Sequence, residues 1–216
     1  MLLFYLYMNE KFLKPYEPKE TEDKVYKKWL DSGFFNPDTC INKGITDKNA
    51  ESFTIMMPPP NVTGILHMGH ALGISIQDII TRFERMRGKK TLWLPGTDHA
   101  AIATQSKVEK EILKNKNKSR HDLGREEFLK KVNAFATESH DTIIKQIKVM
   151  GASCDFSREA FTLDEKRNLA VKTMFKKMYK DGLIYRSYHI INWDPKGQTT
   201  ISDDEIVYEK RDAKLY

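Results

Sequence analysis

Cysteine is nearly absent: Cys40 and Cys154 are the two in 216 residues, and they form no Cys-x-x-Cys pair. That excludes a disulfide framework and a thiolate zinc site, and it fits a reducing, cytoplasmic setting. Long apolar runs are lacking as well. The opening Met-Leu-Leu-Phe-Tyr-Leu-Tyr has no basic start, is too short to span a bilayer and runs into the polar Asn9-Glu10-Lys11. It reads as a short extension, residues 1–14, with Met8 as an alternative start. No later run approaches membrane length, so no membrane partner is expected. There is no internal repeat and no low-complexity segment.

Hydrophobic residues make up 40% of the chain, enough to bury a substantial core in one large domain or in one and a part. Lys and Arg exceed Asp and Glu by 36 to 30, a net charge of +6 that suits an anionic partner but is equally that of an ordinary solvated surface.

Val25, Tyr26, Trp29 and Leu30 recur at helical spacing from residue 21 to 32, and Gly33 follows as a stop. Phe53-Thr54-Ile55-Met56-Met57 reads as a buried strand cut off by Pro58-Pro59-Pro60, which can neither extend a ladder nor begin a helix smoothly. A helix is expected from about Gly69, because Leu72, Ile76, Ile79, Ile80 and Phe83 keep a helical period up to Arg87-Gly88. A second strand, Thr91-Leu92-Trp93-Leu94, then stops at Pro95-Gly96. Strand, helix, strand at this spacing is the unit of a parallel sheet, and the loops at the strands' carboxyl ends form its natural ligand crevice.

Residues 107–125 are lysine-rich with little apolar content past Leu113 and read as an exposed connection, an RNA contact being the second reading. A long helix follows, with Phe128, Val132, Phe135, Ile143, Ile147 and Met150 on one side and Gly151 at its end. Thr162-Leu163-Asp164-Glu165 is a capping-box pattern that opens another helix, ending at Asp181-Gly182. Residues 183–193 and 204–209 read as strands.

The chemistry concentrates in two loops. In Pro58-Pro59-Pro60-Asn61-Val62-Thr63-Gly64-Ile65-Leu66-His67-Met68-Gly69-His70, two imidazoles flank a glycine at a helix start. Free N–H groups and the positive end of the helix dipole favour an anion there. A glycine permits close approach to the backbone, and imidazoles can donate hydrogen bonds to phosphate oxygens as charge builds. Four residues alone read better as a pair of surface histidines or a weak metal site than as a phosphate site. The second loop, Gly96-Thr97-Asp98-His99-Ala100-Ala101-Ile102-Ala103-Thr104-Gln105, follows the next strand and faces the same crevice. Asp98 suits an ammonium group, and it is also good helix N-cap chemistry; one oxygen can cap while the other takes a ligand.

Strand, triple proline and His-Met-Gly-His at a helix start together resemble the HIGH signature of the class I aminoacyl-tRNA synthetases, with Met68 in the place usually held by isoleucine. With Gly96-Thr97-Asp98-His99-Ala100-Ala101-Ile102-Ala103-Thr104-Gln105, the pattern is similar to the valine-specific branch of that family. Residues 58–105 carry the likeness most specifically, and Asn192-Trp193-Asp194-Pro195 and Ile201-Ser202-Asp203-Asp204 extend it. The resemblance implies an α/β fold: residues 15–193 as the first half of a Rossmann-like parallel-sheet nucleotide-binding domain, and residues 194–216 as the start of a β-rich inserted editing domain.

It further implies an ATP-dependent ligase. His67 and His70 would be catalytic; Thr63, His67, Gly69 and His70 would bind ATP; and Pro59, Pro60, Asn61 and Asp98 would bind valine. ATP with Mg2+, valine and tRNA(Val) would be the partners of a full-length monomeric enzyme. No metal site is expected in the chain, because the places where some relatives carry a zinc-binding cysteine pair hold Asp194 and Gly197. The lysine-rich catalytic loop that completes the ATP site in this class is not in the sequence, so the chain is expected to be partial and inactive alone. Two other readings stay open: a non-catalytic nucleotide- or RNA-binding half-domain, and another nucleotidyltransferase built on His-x-Gly-His.

Overall fold

The structure, a computed structural model, describes residues 15–210 together with 212 and 214. The expected extension at residues 1–14 lies outside the described residues. The chain divides into two compact units, one running to Leu169 and one beginning at Ala170.

In the first unit, α1 (Pro18–Ser32) opens on a proline and closes at Gly33, whose φ of 72° turns its N–H back onto the Leu30 carbonyl at 3.1 Å. A short α2 (Pro37–Asn42) is capped by the Asn36 side chain, which accepts from the Thr39 N–H. Next come β1 (Ser52–Met56), α3 (Met68–Met86) and β2 (Lys90–Leu94). β1 and β2 pair in parallel, Phe53 opposite Thr91 and Met56 opposite Leu94. The expected strand–helix–strand unit is present, its boundaries within a residue or two of those read from the sequence. A second parallel pair follows, β3 (Gly96–Thr97) with β4 (Ala160–Phe161). Between them run α4 (Ala101–Lys116), the single turn α5 (Arg120–Leu123) and the long α6 (Arg125–Val149).

The main core gathers Met57, Val62, Ile74, Trp93, Ile143, Ile147, Ala152 and Cys154, so both strands' carboxyl ends rest on α6 and the segment after it. A second cluster joins Val108 and Ile112 of α4 to Phe128 of α6. Residues 107–116 are therefore helix with a buried stripe rather than an exposed connection: two apolar residues four apart suffice to dock an otherwise charged helix.

The burial of α3 reverses what its sequence pattern leads one to expect. Leu72, Ile76, Ile79 and Phe83 are all exposed by half or more, whereas Ile74, Thr81 and Glu84 are buried. The inward face is largely polar and works through hydrogen bonds. Asp78 Oδ1 accepts from the N–H and hydroxyl of Ser153, at 3.0 and 2.6 Å, and its other oxygen pairs with Arg82 at 2.7 Å. Arg82 also donates to the Gly151 carbonyl at 2.8 Å, and Arg85 to Ser153 at 2.6 and 2.8 Å. β1, expected to be buried, leaves Met56 71% exposed, because β2 is its one partner strand among the described residues.

Helix α7 (Glu165–Lys180) begins where expected, but its cap is Asp164, whose Oδ1 accepts from the Arg167 N–H at 2.9 Å. In the second unit, residues 183–193 and 204–209 do not form the expected strands. Among the described residues, pairing there is limited to the two-residue strands β5 (Trp193–Asp194) and β6 (Thr199–Thr200), antiparallel, and Asp203–Glu205 is a 3-10 turn. Tyr188, Ile190, Val207 and Tyr208 are almost fully exposed, so alternating apolar residues alone have not produced a ladder there. No helix of the described residues is long and apolar enough to cross a membrane.

Candidate active site

Both chemistry-bearing loops leave the carboxyl ends of the paired strands β1 and β2, and the backbone ties them together beyond the strands. Met57 N–H donates to the Leu94 carbonyl at 2.9 Å, Asp98 N–H to the Pro60 carbonyl at 2.8 Å, and Val62 N–H to the Asp98 carbonyl at 2.8 Å. Asn61 and Asp98 thus face each other across a parallel bridge, and residues so paired project their side chains to one side. Pro60 is buried beneath this bridge, while Pro59 and Asn61 are exposed and Thr63 is half-buried. The two loops meet at the residues expected to grip an amino acid.

His67 is the N-cap of α3, in extended conformation. Its Nδ1 accepts the Gly69 N–H at 3.1 Å, and His70 Nδ1 accepts the His67 N–H at 3.3 Å, with the rings 3.9 Å apart. An imidazole nitrogen that accepts is unprotonated, so each neutral ring carries its proton on Nε2. Two Nε2–H donors are therefore fixed side by side at the positive end of a 19-residue helix. Burial, then the neighbouring His67, hold the His70 pKa below the ordinary imidazole value, which keeps that ring a neutral donor.

Gly69 also makes room for the cap. A Cβ on Gly69 would stand 3.0 Å from His67 Cε1 and 3.1 Å from its Nδ1, so the open space above Gly69 houses the histidine ring that caps it. The Gly69 N–H is likewise committed to His67 and is not offered to a ligand.

Asp98 does not cap α4; that position is Ala100, in the left-handed conformation at φ 46°. A non-glycine residue there costs roughly 1 kcal/mol or more. The turn sends the Ala100 N–H back to Asp98 Oδ1 at 3.0 Å, and Thr104 Oγ1 closes it from the other side on the His99 carbonyl at 2.6 Å. Gly96 is required by sheet packing, since a Cβ there would lie 2.7 Å from the Ala160 carbonyl oxygen of β4.

Two contributors could not be singled out from the sequence. Gln146 of α6 accepts the Leu66 N–H at 2.9 Å and so pins the loop one residue before His67. Thr162, read as part of a capping box, instead donates its hydroxyl to Asp98 Oδ1 at 3.0 Å and accepts the His99 N–H at 2.9 Å. Neither carries a local signal, because each acts on a segment more than 60 residues away.

Behind His99, a cavity of about 660 Å³ lies between α4 and α6, lined by Val132, Ala136, His140 and Phe161. His140 joins α6 to the turn before β4, with Nε2 2.7 Å from Glu159 and Nδ1 2.9 Å from Asp141. Burial opposes its charge, but the hydrogen bonds and charges of Glu159 and Asp141 outweigh burial and raise its pKa. The sign follows: this contact stabilises the fold fully below the unfolded histidine value and is lost as pH rises through the raised folded value. Urea midpoints of the chain and of His140→Gln are expected to differ most below the usual unperturbed histidine value of ~6.5 and to converge as the pH rises past the raised folded value. A gap that widens with pH would contradict this assignment.

Among the described residues no group of three or more His, Cys, Asp or Glu side chains is placed to hold a metal ion. In comparisons with known proteins, residues 24–216 match the family model "tRNA synthetases class I (I, L, M and V)". The chain is 51% identical over 201 residues to a valine–tRNA ligase of Clostridium acetobutylicum, covering 93% of this chain and 22% of that protein. It is 48% identical over 212 residues to that of Chlamydia muridarum, covering 97% and 22%. The chain therefore spans about a fifth of the length of these relatives. Its fold matches LeuRS of Agrobacterium radiobacter K84, solved as a ternary complex with tRNA and LeuAMS, at a TM-score of 0.60 and 21% identity, over 82% of this chain and 21% of that one.

Proposed function

The chain belongs to the class I tRNA synthetases of the I, L, M and V group, and from that membership we propose that it is the part of a valine–tRNA ligase that holds valine and half of the ATP. Residues 15–193 are the first half of a Rossmann-like nucleotide-binding domain in this reading, and residues 194–216 begin an inserted domain. The uncovered apolar face of α3 and the one partner strand of β1 among the described residues support it, because parallel sheets are stable when both faces are covered.

The observation that carries the function is the Asn61–Asp98 bridge, which brings an amide and a carboxylate together at the carboxyl ends of adjacent parallel strands. Asp98 with Asn61 takes the valine ammonium, and Pro59 and Pro60 shape the wall beside it. His67 and His70, with Gly69 supplying room for their packing and Thr63 nearby, take the ATP phosphates. A valine carboxylate oxygen then bonds to the α-phosphorus as the bond to pyrophosphate breaks, and the two Nε2–H groups stabilise the charge that builds on the phosphate oxygens. A terminal ribose hydroxyl of tRNA(Val) next takes the valyl group and AMP leaves. Mg2+ enters with the ATP, as counter-ion to its phosphates. The full-length enzyme acts as a cytoplasmic monomer in this reading.

Isothermal titration of the chain with a non-hydrolysable valyl-adenylate analogue tests the assignment. Asp98→Ala removes a charged hydrogen-bond partner and is expected to weaken binding by about tenfold or more. Affinity unchanged by Asp98→Ala would remove this residue from the site.

A further inference from the structure

Thr162 follows directly on β4, whose partner strand β3 leads into Asp98, and it touches Asp98 with its one hydroxyl proton. An aspartate carboxylate turns broadly about its last torsion, so an unsupported Asp98 would not present a defined oxygen to a ligand. Here two donors converge on one oxygen: the Ala100 N–H and the Thr162 hydroxyl both reach Oδ1 at 3.0 Å. Their convergence fixes the carboxylate plane and leaves the lone pairs of Oδ2 for a ligand. The Asp98 side chain is 37% exposed, so the carboxylate is reachable from solvent.

Thr162 is itself held by the sheet. Its N–H donates to the Thr97 carbonyl at 3.1 Å, next to the β3–β4 pair, so the hydroxyl is mounted on the same frame as Asp98. The oxygen accepts the His99 N–H at 2.9 Å, and His99 Nδ1 lies 2.5 Å from it. A hydroxyl has a single proton. Once that proton points at Asp98, the short contact to His99 is a hydrogen bond only if Nδ1 carries the ring proton.

We propose that Thr162 is a positioning residue for amino-acid recognition, aiming Asp98 Oδ2 at the substrate ammonium and fixing His99 as the Nδ1–H tautomer. The inference rests on the reading of Asp98 as the ammonium site and adds to it a residue 64 positions away. A carboxylate set in advance loses less freedom on binding, so the effect belongs to ligands that carry the ammonium and not to those that lack it.

The test titrates the chain, Thr162→Val and Thr162→Ser with the valyl-adenylate analogue and with the same molecule lacking its amino group. Valine at position 162 keeps the shape and loses the hydroxyl; serine keeps the hydroxyl. Thr162→Val is expected to weaken the amino-bearing analogue by about tenfold, with Thr162→Ser within about threefold of the unsubstituted chain. All three should bind the deaminated analogue alike. Equal weakening of both ligands by Thr162→Val would reduce Thr162 to a structural residue and overturn the proposal. Asp98→Ala in parallel separates the two levels: if it fails to distinguish the ligands, the ammonium reading of Asp98 is what has failed. Long-range 15N–1H correlation of His99 needs no ligand. Nδ1–H is expected in the unsubstituted chain and in Thr162→Ser, and an Nε2–H ring there would overturn the network itself.

Discussion

Replacing His67 and His70 together by alanine is expected to slow valyl-adenylate formation by about a thousandfold or more, since the loss of one preorganised donor to a developing oxyanion already costs about 10²–10³ in rate. Valine affinity should change by less than about threefold, because Asn61 and Asp98, not the histidines, form the bridge read as the amino-acid grip. The expectation follows from the hydrogen bonds around the rings. Each Nδ1 is occupied by a backbone N–H, so each Nε2–H is the donor left to meet a phosphate. His67 also caps α3, and its loss costs about 1 kcal/mol of helix stability in addition. His67→Asn separates the roles: it keeps a capping acceptor but leaves no donor at the reach of Nε2, so it should retain stability and lose rate.

Pyrophosphate exchange is the measurement, in a full-length relative whose matching fifth is replaced by this chain. An exchange rate unchanged in the double variant would dismiss the histidines as catalytic. A rate loss matched by an equal loss of valine affinity would instead place them in the amino-acid site.

How much of this was legible in the sequence depends on the range over which each feature is encoded. The β1–α3–β2 unit and the positions of His67, His70 and Asp98 at its crevice were legible, because strand, proline stop and helical period are local signals. The Asn61–Asp98 bridge itself was not legible, because a single backbone pairing between two loops leaves no pattern in either of them. Which face of α3 turns inward was not legible. Periodicity marks an apolar stripe but cannot name its neighbour, and here Asp78, Arg82 and Arg85 bind the segment 151–153 while Leu72 and Phe83 stay exposed. The β3–β4 pair escaped notice because two-residue strands leave no alternation to read. Thr162 was obscured by its own context: Thr-x-x-Glu fits a capping box, yet Asp164 supplies the cap and frees the threonine hydroxyl for Asp98.

Trp93→Ala is expected to be the most damaging single core substitution, costing about 3–5 kcal/mol, the usual range for truncating a buried aromatic residue. Trp93 is fully buried, and Met57, Val62, Ile74, Ile143, Ile147 and Cys154 belong to the same cluster. Its indole N–H donates to Gln77 Oε1 of α3 at 3.1 Å, so truncation also strands a polar group beside the void. Against a total stability of about 5–15 kcal/mol, a loss of that size lowers the thermal midpoint by roughly 10 °C. Trp93→Phe fills most of the volume and should cost about half as much, chiefly through the orphaned Gln77. Urea unfolding reads both variants as a shift in midpoint at constant slope, and a loss below about 1 kcal/mol for alanine would show that the core closes around the gap. The residue matters to the site because of where it stands. Five residues beyond it on the same strand path is Asp98, and through Ile74 and Gln77 it grips the helix headed by His67 and His70. A milder variant such as Trp93→Phe, still folded at working temperature, should therefore weaken the amino-acid half and the phosphate half of the site together, whereas Asp98→Ala weakens one of them alone.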